Sequence, residues 1–390
     1  MEKVKKILIT GGGSGGHISV ASGLIEGIKK KDFEIYKNLI YVGGDLGMVG
    51  EDYGNSLEQK KFEDAEFKCR YIRAGKLQRK LSITSIKLFF RTILGLIDSF
   101  KIINEEKPNL IFSTGGFVTV PICIAGWLKK IPVYLHEQTA TVGLSNKIVG
   151  KFAKKIYIAF DSSKRYFKKD KIELVGDIVR EAITNFDIER VDPTIKDLVE
   201  NYDKSPLIYI SGGGLGSHKI NKKIFEDLSK LLSEYKIILQ TGDNQEYKDF
   251  DKAVELKKTL SSQLQERFLP IKFLNDDNIG YVYKNANFFI GRAGANTVYE
   301  IAVLEKPSIF IPIPWVTNNE QYENAKVLVD IGLSIILEEN SLDNTNLLDL
   351  IKESIKSLPK PDMNISELKT KFPINAVEKI LNDIFKNENI

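Results

Sequence analysis

The segment ILITGGGSGGHIS, Ile7–Ser19, decides how the first half of the chain folds. Four apolar or β-branched residues lead directly into five glycines, one serine and a histidine. A glycine-rich turn between a buried strand and a helix exposes backbone N–H groups at the positive end of the helix dipole, which suits phosphate. The same design returns in LIYISGGGLGSHK, Leu207–Lys219. We therefore expect two α/β units, each with one anion-binding loop.

Short apolar strands alternate with helical patterns along the chain, which is typical of parallel sheets covered on both faces. The predicted fold class is α/β, with two Rossmann-like domains. The predicted strands are Lys6–Thr10, Leu39–Val42, Phe67–Ile72, Leu110–Ser113, Val133–His136, Ile156–Ala159, Leu207–Ser211, Lys236–Thr241, Ile271–Phe273, Phe288–Ile290, Ser308–Ile311 and Ser334–Leu337. Ligands bind outside the carboxyl ends of such strands. The glycine loops and all three histidines fall there, so we expect both functional edges to face one cleft.

The length of 390 residues exceeds one ordinary core and predicts two domains. The division falls near Gly176–Arg180, ahead of the charged stretch Asn185–Ser205. We predict an acceptor and membrane-associating domain at 1–178 and a donor domain at 179–370. The last segment, 371–390, holds an amphipathic helix that would pack back on the first domain.

The composition is that of a globular protein, with 43% hydrophobic and 28% charged residues. Two cysteines, Cys69 and Cys123, are too few for a disulfide framework and indicate a reducing cytoplasm. The start, MEKVKKILIT, has the pattern of a strand and not of a signal peptide. No stretch approaches the roughly 18–20 apolar residues of a membrane-spanning helix. We expect a soluble chain.

The net charge of +4 is unevenly distributed. Residues 1–180 hold 31 Lys and Arg against 19 Asp and Glu, whereas residues 181–390 hold 25 against 33. A basic half suggests contact with a membrane surface, a nucleic acid or a phosphorylated lipid. Uneven charge without a function is the alternative.

Neither glycine loop fits the two commonest nucleotide motifs. No Gly-Lys-Ser/Thr follows either glycine run, which excludes a Walker loop. The spacing Gly11-x-Gly13-x-x-Gly16 resembles a dinucleotide fingerprint, but that site needs an acid at the end of the second strand. The only candidate there, Asp45, comes after two further glycines. The loops therefore disfavour NAD.

Seven ordered motifs along nearly the whole chain closely resemble the MurG family, which adds N-acetylglucosamine to the lipid-linked muramyl-pentapeptide precursor of peptidoglycan. The resemblance implies a GT-B fold, in which two Rossmann-like domains face a cleft. The motifs are GGGSGGHI at Gly11–Ile18, STGGF at Ser113–Phe117, HEQTATVGLSNK at His136–Lys147, GDIVRE at Gly176–Glu181, GGGLGSHKIN at Gly212–Asn221, GRAGANTVYE at Gly291–Glu300 and NEQYENA at Asn319–Ala325.

The resemblance implies that UDP-N-acetylglucosamine binds the second domain. Arg180 would contact the diphosphate, and Glu300 would hold the ribose hydroxyls; alone, Glu300 would be taken for a helix-surface acid. His218 is expected to be a loop residue beside phosphate. The implied donor-binding residues are Thr139, Arg180, Gly214, Phe273, Leu274, Ala295, Asn296, Glu300, Glu320 and Gln321.

The resemblance places the lipid-linked acceptor on the first domain. His17 is the candidate general base, because imidazole titrates near working pH, although it could instead cap or orient the glycine loop. Glu137 is expected to hold the second acceptor loop rigid. The implied acceptor-binding residues are Gly13, Ser14, Gly15, Gly16, Gly115, Gly116, His136 and Glu137.

The implied chemistry is a single inverting displacement, in which the acceptor 4-hydroxyl attacks C1 of the sugar as UDP leaves. Charge builds on the diphosphate, so Arg180 and helix-start N–H groups would act mainly on the transition state. No Asp-x-Asp motif falls at the predicted cleft. We therefore expect no metal site and no tightly bound cofactor, while Mg²⁺ could assist with the phosphates.

The sequence departs from the family pattern at three donor positions. Thr139 stands where the family has asparagine, Gly214 where it has serine, and Glu320 where it has glutamine; GDIVR also replaces GNPVR. A carboxylate at Glu320 accepts from sugar hydroxyls but no longer donates. The identity of the donor sugar therefore stays open.

The segment Tyr71–Thr92 combines basic and apolar residues, as a peripheral contact with anionic lipid requires. Its basic members are Arg73, Lys76, Arg79, Lys80, Lys87 and Arg91. Trp127, Lys129 and Lys130 would extend the patch. We expect a peripheral protein on the cytoplasmic face of the cell membrane. A nucleic-acid partner is disfavoured because aromatic stacking platforms are missing among the basic residues.

Three other functions remain open. A transferase with another lipid acceptor, such as diacylglycerol, uses the same scaffold. A UDP-N-acetylglucosamine 2-epimerase would need more acidic and histidine groups around the sugar. An inactive UDP-sugar-binding partner of another subunit would tolerate the three departures but would not need Arg180, Glu300 and His17.

Overall fold

The computed structural model describes residues 5–45, 56–74, 83–361 and 363–390, with the backbone alone at 83–90 and 317. The chain divides into two compact units. One comprises Met1–Ile178 with Pro373–Ile390, and the other comprises Val179–Phe372.

The first unit contains a seven-stranded, wholly parallel sheet in the order β3-β2-β1-β4-β5-β6-β7. Elements are numbered in chain order. The strands are β1 Ile7–Thr10, β2 Ile40–Gly44, β3 Lys68–Ile72, β4 Leu110–Ser113, β5 Val133–Glu137, β6 Lys155–Ile158 and β7 Ile172–Leu174. The helices are α1 Gly15–Lys31, α2 Phe33–Lys37, α3 Leu57–Lys61, α4 Ile83–Glu106, α5 Thr119–Leu128, α6 Leu144–Val149 and, from the end of the chain, α16 Ala376–Glu388.

The second unit contains a six-stranded parallel sheet in the order β10-β9-β8-β11-β12-β13. Its strands are β8 Leu207–Ser211, β9 Lys236–Gln240, β10 Phe268–Ile271, β11 Phe288–Gly291, β12 Ser308–Phe310 and β13 Ser334–Ile336. Its helices are α7 Pro193–Glu200, α8 His218–Leu232, α9 Asp249–Thr259, α10 Ser262–Gln265, α11 Asp276–Asn285, α12 Ala295–Val303, α13 Glu320–Ile331, α14 Leu347–Ser357 and α15 Ile365–Lys371.

Both sheets are buried on both faces, which is why their central strands are unbroken apolar runs. Every residue of β1, β4 and β8 is buried. On one face of the first sheet, α1 and α16 pack together, and their shared core includes Leu24, Ile28, Ile380 and Leu381. A Cβ on Gly27 would lie 2.2 Å from Val377, so the two helices approach most closely there.

Two strands differ from the sequence analysis. The predicted strand Ile271–Phe273 is wrong in its position along the chain, because β10 begins three residues earlier and contains Pro270. Proline is tolerated there because β10 lies at the sheet edge. The short, half-buried β7 carries too little apolar pattern to be predicted. The predicted class, α/β with two Rossmann-like parallel sheets, is confirmed.

Strand order reverses between β1 and β4 in the first sheet and between β8 and β11 in the second. A crevice forms at the carboxyl ends of strands where the order reverses, and ligands of open α/β sheets bind there. The two long glycine loops follow β1 and β8, at these points. Within the described part of the chain, no helix combines the length and the apolar character needed to cross a membrane.

Candidate active site

The first glycine loop, between β1 and α1, packs against the loop after β4. The Gly12 N–H donates to the Gly115 carbonyl oxygen at 3.3 Å. A Cβ on Gly116 would lie 2.0 Å from the Gly12 oxygen. Gly13, Gly115 and Gly116 have φ angles of +75°, +96° and +95°, which favour glycine. The structure thus brings the two predicted acceptor loops together.

A carboxylate missed by the sequence analysis lies against the first loop. The buried Glu58, on α3, accepts from the Gly13 N–H through Oε1 at 2.6 Å. A Cβ on Gly12 would lie 2.0 Å from the same oxygen. Because Glu58 occupies this N–H, Gly13 does not offer it to another acceptor. No motif marks Glu58, which stands in an ordinary polar segment.

His17 lies in the first turn of α1. Its Nδ1–H donates to the Thr114 carbonyl oxygen at 2.8 Å, and Thr114 Oγ1 donates to the His17 carbonyl oxygen at 3.0 Å. With the proton on Nδ1, the Nε2 lone pair can accept another proton. Burial lowers the pKa of His17 to about 4, although the Thr114 carbonyl opposes this. The ring is therefore neutral at neutral pH, as a general base requires.

The loop after β5 is held by a buried carboxylate. Glu137 Oε1 accepts from the Thr139 N–H at 2.9 Å and from Thr139 Oγ1 at 2.6 Å. Glu137 Oε2 accepts from Asn146 Nδ2 at 2.9 Å. This network supports the loop-holding role expected of Glu137. The Gln138 amide, missed by the sequence analysis although it stands in the HEQTATVGLSNK motif, lies 3.1 Å from His17 Nδ1.

The His136 side chain also points into the protein. It is buried, and its Nε2–H donates to the Gly176 carbonyl oxygen at 3.0 Å. Burial lowers the pKa of His136 to about 4, although the Gly176 carbonyl opposes this. His136, Glu137 and Thr139 are thus bound to other parts of the first unit. Their contacts with substrates stay predictions.

The second glycine loop, between β8 and α8, is fixed by side chains from neighbouring strands. The Gly213 N–H donates to Ser211 Oγ at 3.1 Å, and Gln240 Nε2 donates to the Gly213 carbonyl oxygen at 3.0 Å. Gly213 and Gly216 have φ angles of +89° and +76°. A Cβ on Gly214, by contrast, would meet no heavy atom within 4 Å. The loop therefore has open space at its crest.

The predicted diphosphate and ribose residues form a two-pronged ion pair. Arg180 Nε donates to Glu300 Oε1 at 2.9 Å, and Nη2 donates to Glu300 Oε2 at 3.1 Å. Asp276 lies 3.5 Å from Arg180 Nη1. Burial alone would lower the pKa of Arg180, but the Glu300 carboxylate outweighs this and raises it. The guanidinium thus stays charged, and the expected diphosphate and ribose contacts fall on two side chains that are already paired.

The predicted uracil residues follow β10. Phe273 is 61% exposed, whereas Leu274 is buried and its N–H donates to Gln240 Oε1 at 3.0 Å. The sequence analysis missed Gln240. Its amide oxygen accepts from this loop and its amide nitrogen donates to the second glycine loop, so the side chain connects the two loops. The shift of β10 explains why Phe273 lies beyond the strand.

The predicted sugar segment lies at the start of α13. Gln321 Oε1 accepts from the Ile313 N–H at 3.0 Å, which leaves its amide hydrogens to donate. Burial raises the pKa of Glu320. Ala295 and Asn296 begin α12, whose N-cap is Gly294. A cavity of about 300 Å³ opens beside the sugar segment and is lined by Pro312, Pro314, Asn319, Tyr322, Glu338, Glu339 and Asn340.

Arg292, also missed by the sequence analysis, ties the loops of the second sheet together. Its buried guanidinium donates to Ser217 Oγ at 2.8 Å, to the Ile311 carbonyl oxygen at 2.9 Å and to Glu339. These groups come from the start of α8, the end of β12 and the segment after β13. Hydrogen bonds from this one guanidinium thus connect three segments at the carboxyl edge of the sheet, next to the second glycine loop.

Comparisons with known proteins identify the family. The glycosyltransferase family 28 N-terminal domain matches residues 7–158, and the family 28 C-terminal domain matches residues 207–380. The UDP-N-acetylglucosamine–N-acetylmuramyl-(pentapeptide) pyrophosphoryl-undecaprenol N-acetylglucosamine transferase of Clostridium novyi (strain NT) is 32% identical, over 98% of each chain. This chain belongs to the MurG family of glycosyltransferases.

Solved structures share the fold of this MurG-family chain. The crystal structure of Acinetobacter baumannii MurG superposes with a TM-score of 0.68 at 21% identity, covering 98% of this chain and 100% of that one. A UDP-N-acetylglucosamine 2-epimerase from Neisseria meningitidis, bound to UDP-N-acetylglucosamine, gives 0.65 at 14% identity, covering 98% and 100%. The fold is therefore shared between transferases and epimerases. The sequence relatives that are more than 30% identical identify this chain as a transferase.

The three departures from the MurG family pattern differ in physical effect. The space at Gly214 would accommodate the family serine. Burial raises the pKa of Glu320, but as a carboxylate this side chain accepts hydrogen bonds and does not donate as glutamine does. The Thr139 hydroxyl donates its hydrogen bond to Glu137. Among the described residues, no three or more His, Cys, Asp or Glu side chains converge as a metal site.

Proposed function

We propose that this MurG-family chain transfers N-acetylglucosamine from UDP-N-acetylglucosamine to the 4-hydroxyl of undecaprenyl-pyrophosphoryl-N-acetylmuramoyl-pentapeptide. The observation that carries the proposal is the neutral His17 ring, which Thr114 orients so that Nε2 can accept a proton. The match over 98% of the chain to enzymes named for this transfer supports the substrates.

The transfer is one displacement with inversion. The acceptor 4-hydroxyl oxygen bonds to C1 of the sugar, and its proton passes to His17 Nε2. The bond between C1 and the diphosphate oxygen breaks, and its electron pair leaves with UDP. Arg180 and the N–H groups of the second glycine loop would offset the charge that develops on the diphosphate. Gln321 would donate to a sugar hydroxyl.

The test is transfer from radiolabelled UDP-N-acetylglucosamine to a short-chain analogue of the muramyl-pentapeptide lipid. UDP-glucose and UDP-galactose are run in parallel. We expect label in the lipid product from the first donor alone. Transfer only from another UDP-sugar would mean that Thr139, Gly214 and Glu320 specify a different donor. Donor binding with no transfer to this lipid would favour a different acceptor or an inactive binding protein.

We further propose that the first unit contacts an anionic membrane surface from the cytoplasmic side. On α5, Trp127 is 50% exposed and Leu128 is 54% exposed, next to the exposed Lys129 and Lys130. The α4 helix, which packs against α5, exposes Ile93, Leu94 and Ile97. Apolar groups among lysines suit the headgroup region of such a membrane.

Part of the predicted basic segment forms ion pairs within the protein. Arg73 pairs with Asp98 at 2.6 Å, and Arg91 pairs with Asp45 at 2.7 Å, which reduces their charge toward lipid. Lys76, Arg79 and Lys80 lie outside the described residues, and only the backbone is described at Lys87.

Vesicle co-sedimentation tests the membrane proposal. Replacing Lys129 and Lys130 with glutamate should weaken binding to vesicles rich in anionic lipid about tenfold or more, since each lysine contributes roughly 1 kcal/mol near such a surface. The matched control replaces the exposed Lys252 and Lys258 of the second unit with glutamate and should bind normally. Equal binding by the two double variants would refute the patch.

A further inference from the structure

The second glycine loop ends at a histidine that the proposed reaction does not use. Ser217 is the N-cap of α8, and His218 is its first residue. The first turn of α8 carries no acidic side chain. Arg292 holds the Ser217 hydroxyl, and the tight packing of Gly216 against Thr241 fixes the end of the loop. His218 therefore occupies a fixed place at the end of an anion-binding loop.

The His218 ring is oriented by two neighbours. Its Nδ1 lies 2.8 Å and 3.1 Å from the two carboxylate oxygens of Asp249, so Nδ1–H donates to this carboxylate. The ring stacks on Tyr247, with centroids 4.0 Å apart and planes inclined by 10°. Asp249 is itself buried and also accepts from Asn221 Nδ2 at 2.9 Å. A carboxylate and an aromatic face thus hold one edge and one face of the imidazole.

This arrangement leaves the other edge of the ring for a ligand. Nε2 lies opposite the Asp249 contact, the side chain is 34% exposed, and no described residue binds Nε2. A doubly protonated imidazole donates from both nitrogens, to Asp249 through Nδ1 and to an anion through Nε2. Among charged groups, Asp249 contacts the ring directly, and Arg292, which holds Ser217, is paired with Glu339. Lys219 and Lys222 lie on the same helix as His218.

His218 differs from the other two histidines because its bonded ring nitrogen faces a carboxylate, whereas theirs donate to backbone carbonyl oxygens. Burial lowers the pKa of both His17 and His136 to about 4, so those rings stay neutral between pH 6 and 8.5. Glu320, whose pKa burial raises, is the other proton-binding candidate in the predicted donor residues. The two candidates can be separated by substitution.

We propose that His218 binds the donor diphosphate as an imidazolium, held by Asp249, so that donor binding takes up a proton at this residue. The inference rests on the proposed function, since it takes a UDP-sugar as the ligand of the loop. Its consequence is that donor affinity falls as pH rises and the ring loses its second proton.

Isothermal titration calorimetry of the full chain with UDP-N-acetylglucosamine tests the inference. Its diphosphate is esterified at both ends and does not titrate near neutral pH, so proton uptake belongs to the protein. Titrations at pH 7 in two buffers of different ionisation enthalpy give the number of protons taken up. We expect net proton uptake in the wild type.

The variants locate the proton. His218→Gln keeps a neutral donor and should abolish the uptake; it should weaken donor binding about tenfold at pH 6.5 and much less at pH 8.5. Asp249→Asn should reduce the uptake. His17→Gln and Glu320→Gln should both retain the uptake of the wild type.

Three results would overturn the inference. Donor binding without proton uptake in the wild type would contradict it while leaving the proposed function intact. Uptake that survives in His218→Gln, or that disappears in Glu320→Gln, would place the proton elsewhere. Failure of the wild type to bind UDP-N-acetylglucosamine at all would overturn the proposed function together with the inference.

Discussion

At His17, one backbone carbonyl decides which ring nitrogen carries the proton. The Thr114 oxygen accepts from Nδ1–H, and Nε2 is left with the free lone pair that the proposed general base needs. The same burial that keeps the ring neutral also makes it a weaker base, with a pKa of about 4. If His17 is the base, as proposed, we expect the proton on the acceptor hydroxyl to be lost largely in concert with departure of UDP.

His17→Gln should separate binding from chemistry. Turnover should fall about 100-fold or more, because a positioned general base typically contributes that much. The dissociation constant for UDP-N-acetylglucosamine should not change. On the acid side, kcat/KM of the wild type should decline as pH falls toward about 4, where a proton occupies Nε2. Wild-type turnover in the variant would remove His17 as the base.

Arg180 is best tested with its partner. Arg180→Lys keeps the charge but loses the two-pronged contact with Glu300, and we expect donor affinity to fall about tenfold. Thermal unfolding distinguishes a lost ligand contact from a damaged fold. Glu300→Gln is the companion variant and keeps the shape of the side chain. Unchanged donor affinity in Arg180→Lys, at wild-type stability, would rule out the diphosphate role.

Gly214→Ser restores the hydroxyl that the MurG family has at this position. The open space there accommodates it, so donor affinity should rise about threefold to tenfold through one added hydrogen bond. The control is Gly213→Ser, which is strained at a φ of +89° and should weaken binding. Weaker binding by Gly214→Ser would show that the loop crest does not face the diphosphate.

Among the elements, α16 shows how the end of the chain completes the first unit. Its apolar residues pack with α1, and its Asp383 and Glu388 accept from Tyr157 and Tyr134 on the sheet. Apolar packing and partly buried hydrogen bonds from tyrosine hydroxyls therefore hold α16 on the first unit. The first glycine loop leads into α1, the helix on which α16 packs.

Ile380→Ala should destabilise the first unit by about 2–4 kcal/mol, the usual cost of removing a fully buried isoleucine side chain. Urea unfolding measures this free energy. The control is Lys386→Ala on the exposed side of α16, which should lie within about 0.5 kcal/mol of the wild type. If both variants unfold alike, the packing of α16 on α1 is not what stabilises this unit.

The sequence predicts most strands because buried parallel strands are continuous apolar runs. It fails where another constraint intervenes: Pro270 hides the start of β10, and β7 is too short and exposed to give a pattern. Family motifs indicate Arg180 and Glu300 separately but cannot show that they pair. Glu58 and Arg292 act through contacts between distant segments, which local spacing does not encode.

In the whole molecule, one design occurs twice. Each unit has a parallel sheet whose order reverses beside a glycine loop, yet the chemistry of the two loops differs. The first is held by Glu58 and lies beside a neutral imidazole, whereas the second ends at Ser217, which Arg292 contacts, and at His218. The Arg180–Glu300 pair belongs to the same unit as the second loop. The basic and acidic halves of the chain follow this division, with the lysine-rich half carrying the proposed membrane contact.

The structure of the reaction product is a direct test of the proposed transfer. After incubation with UDP-N-acetylglucosamine and the lipid analogue, nuclear magnetic resonance of the purified lipid gives the linkage and the anomeric configuration of the added sugar. A single inverting displacement on the α-linked donor predicts one N-acetylglucosamine in β linkage to the 4-hydroxyl of the muramyl residue. An α-linked sugar, a different attachment site or an unmodified lipid would contradict the account.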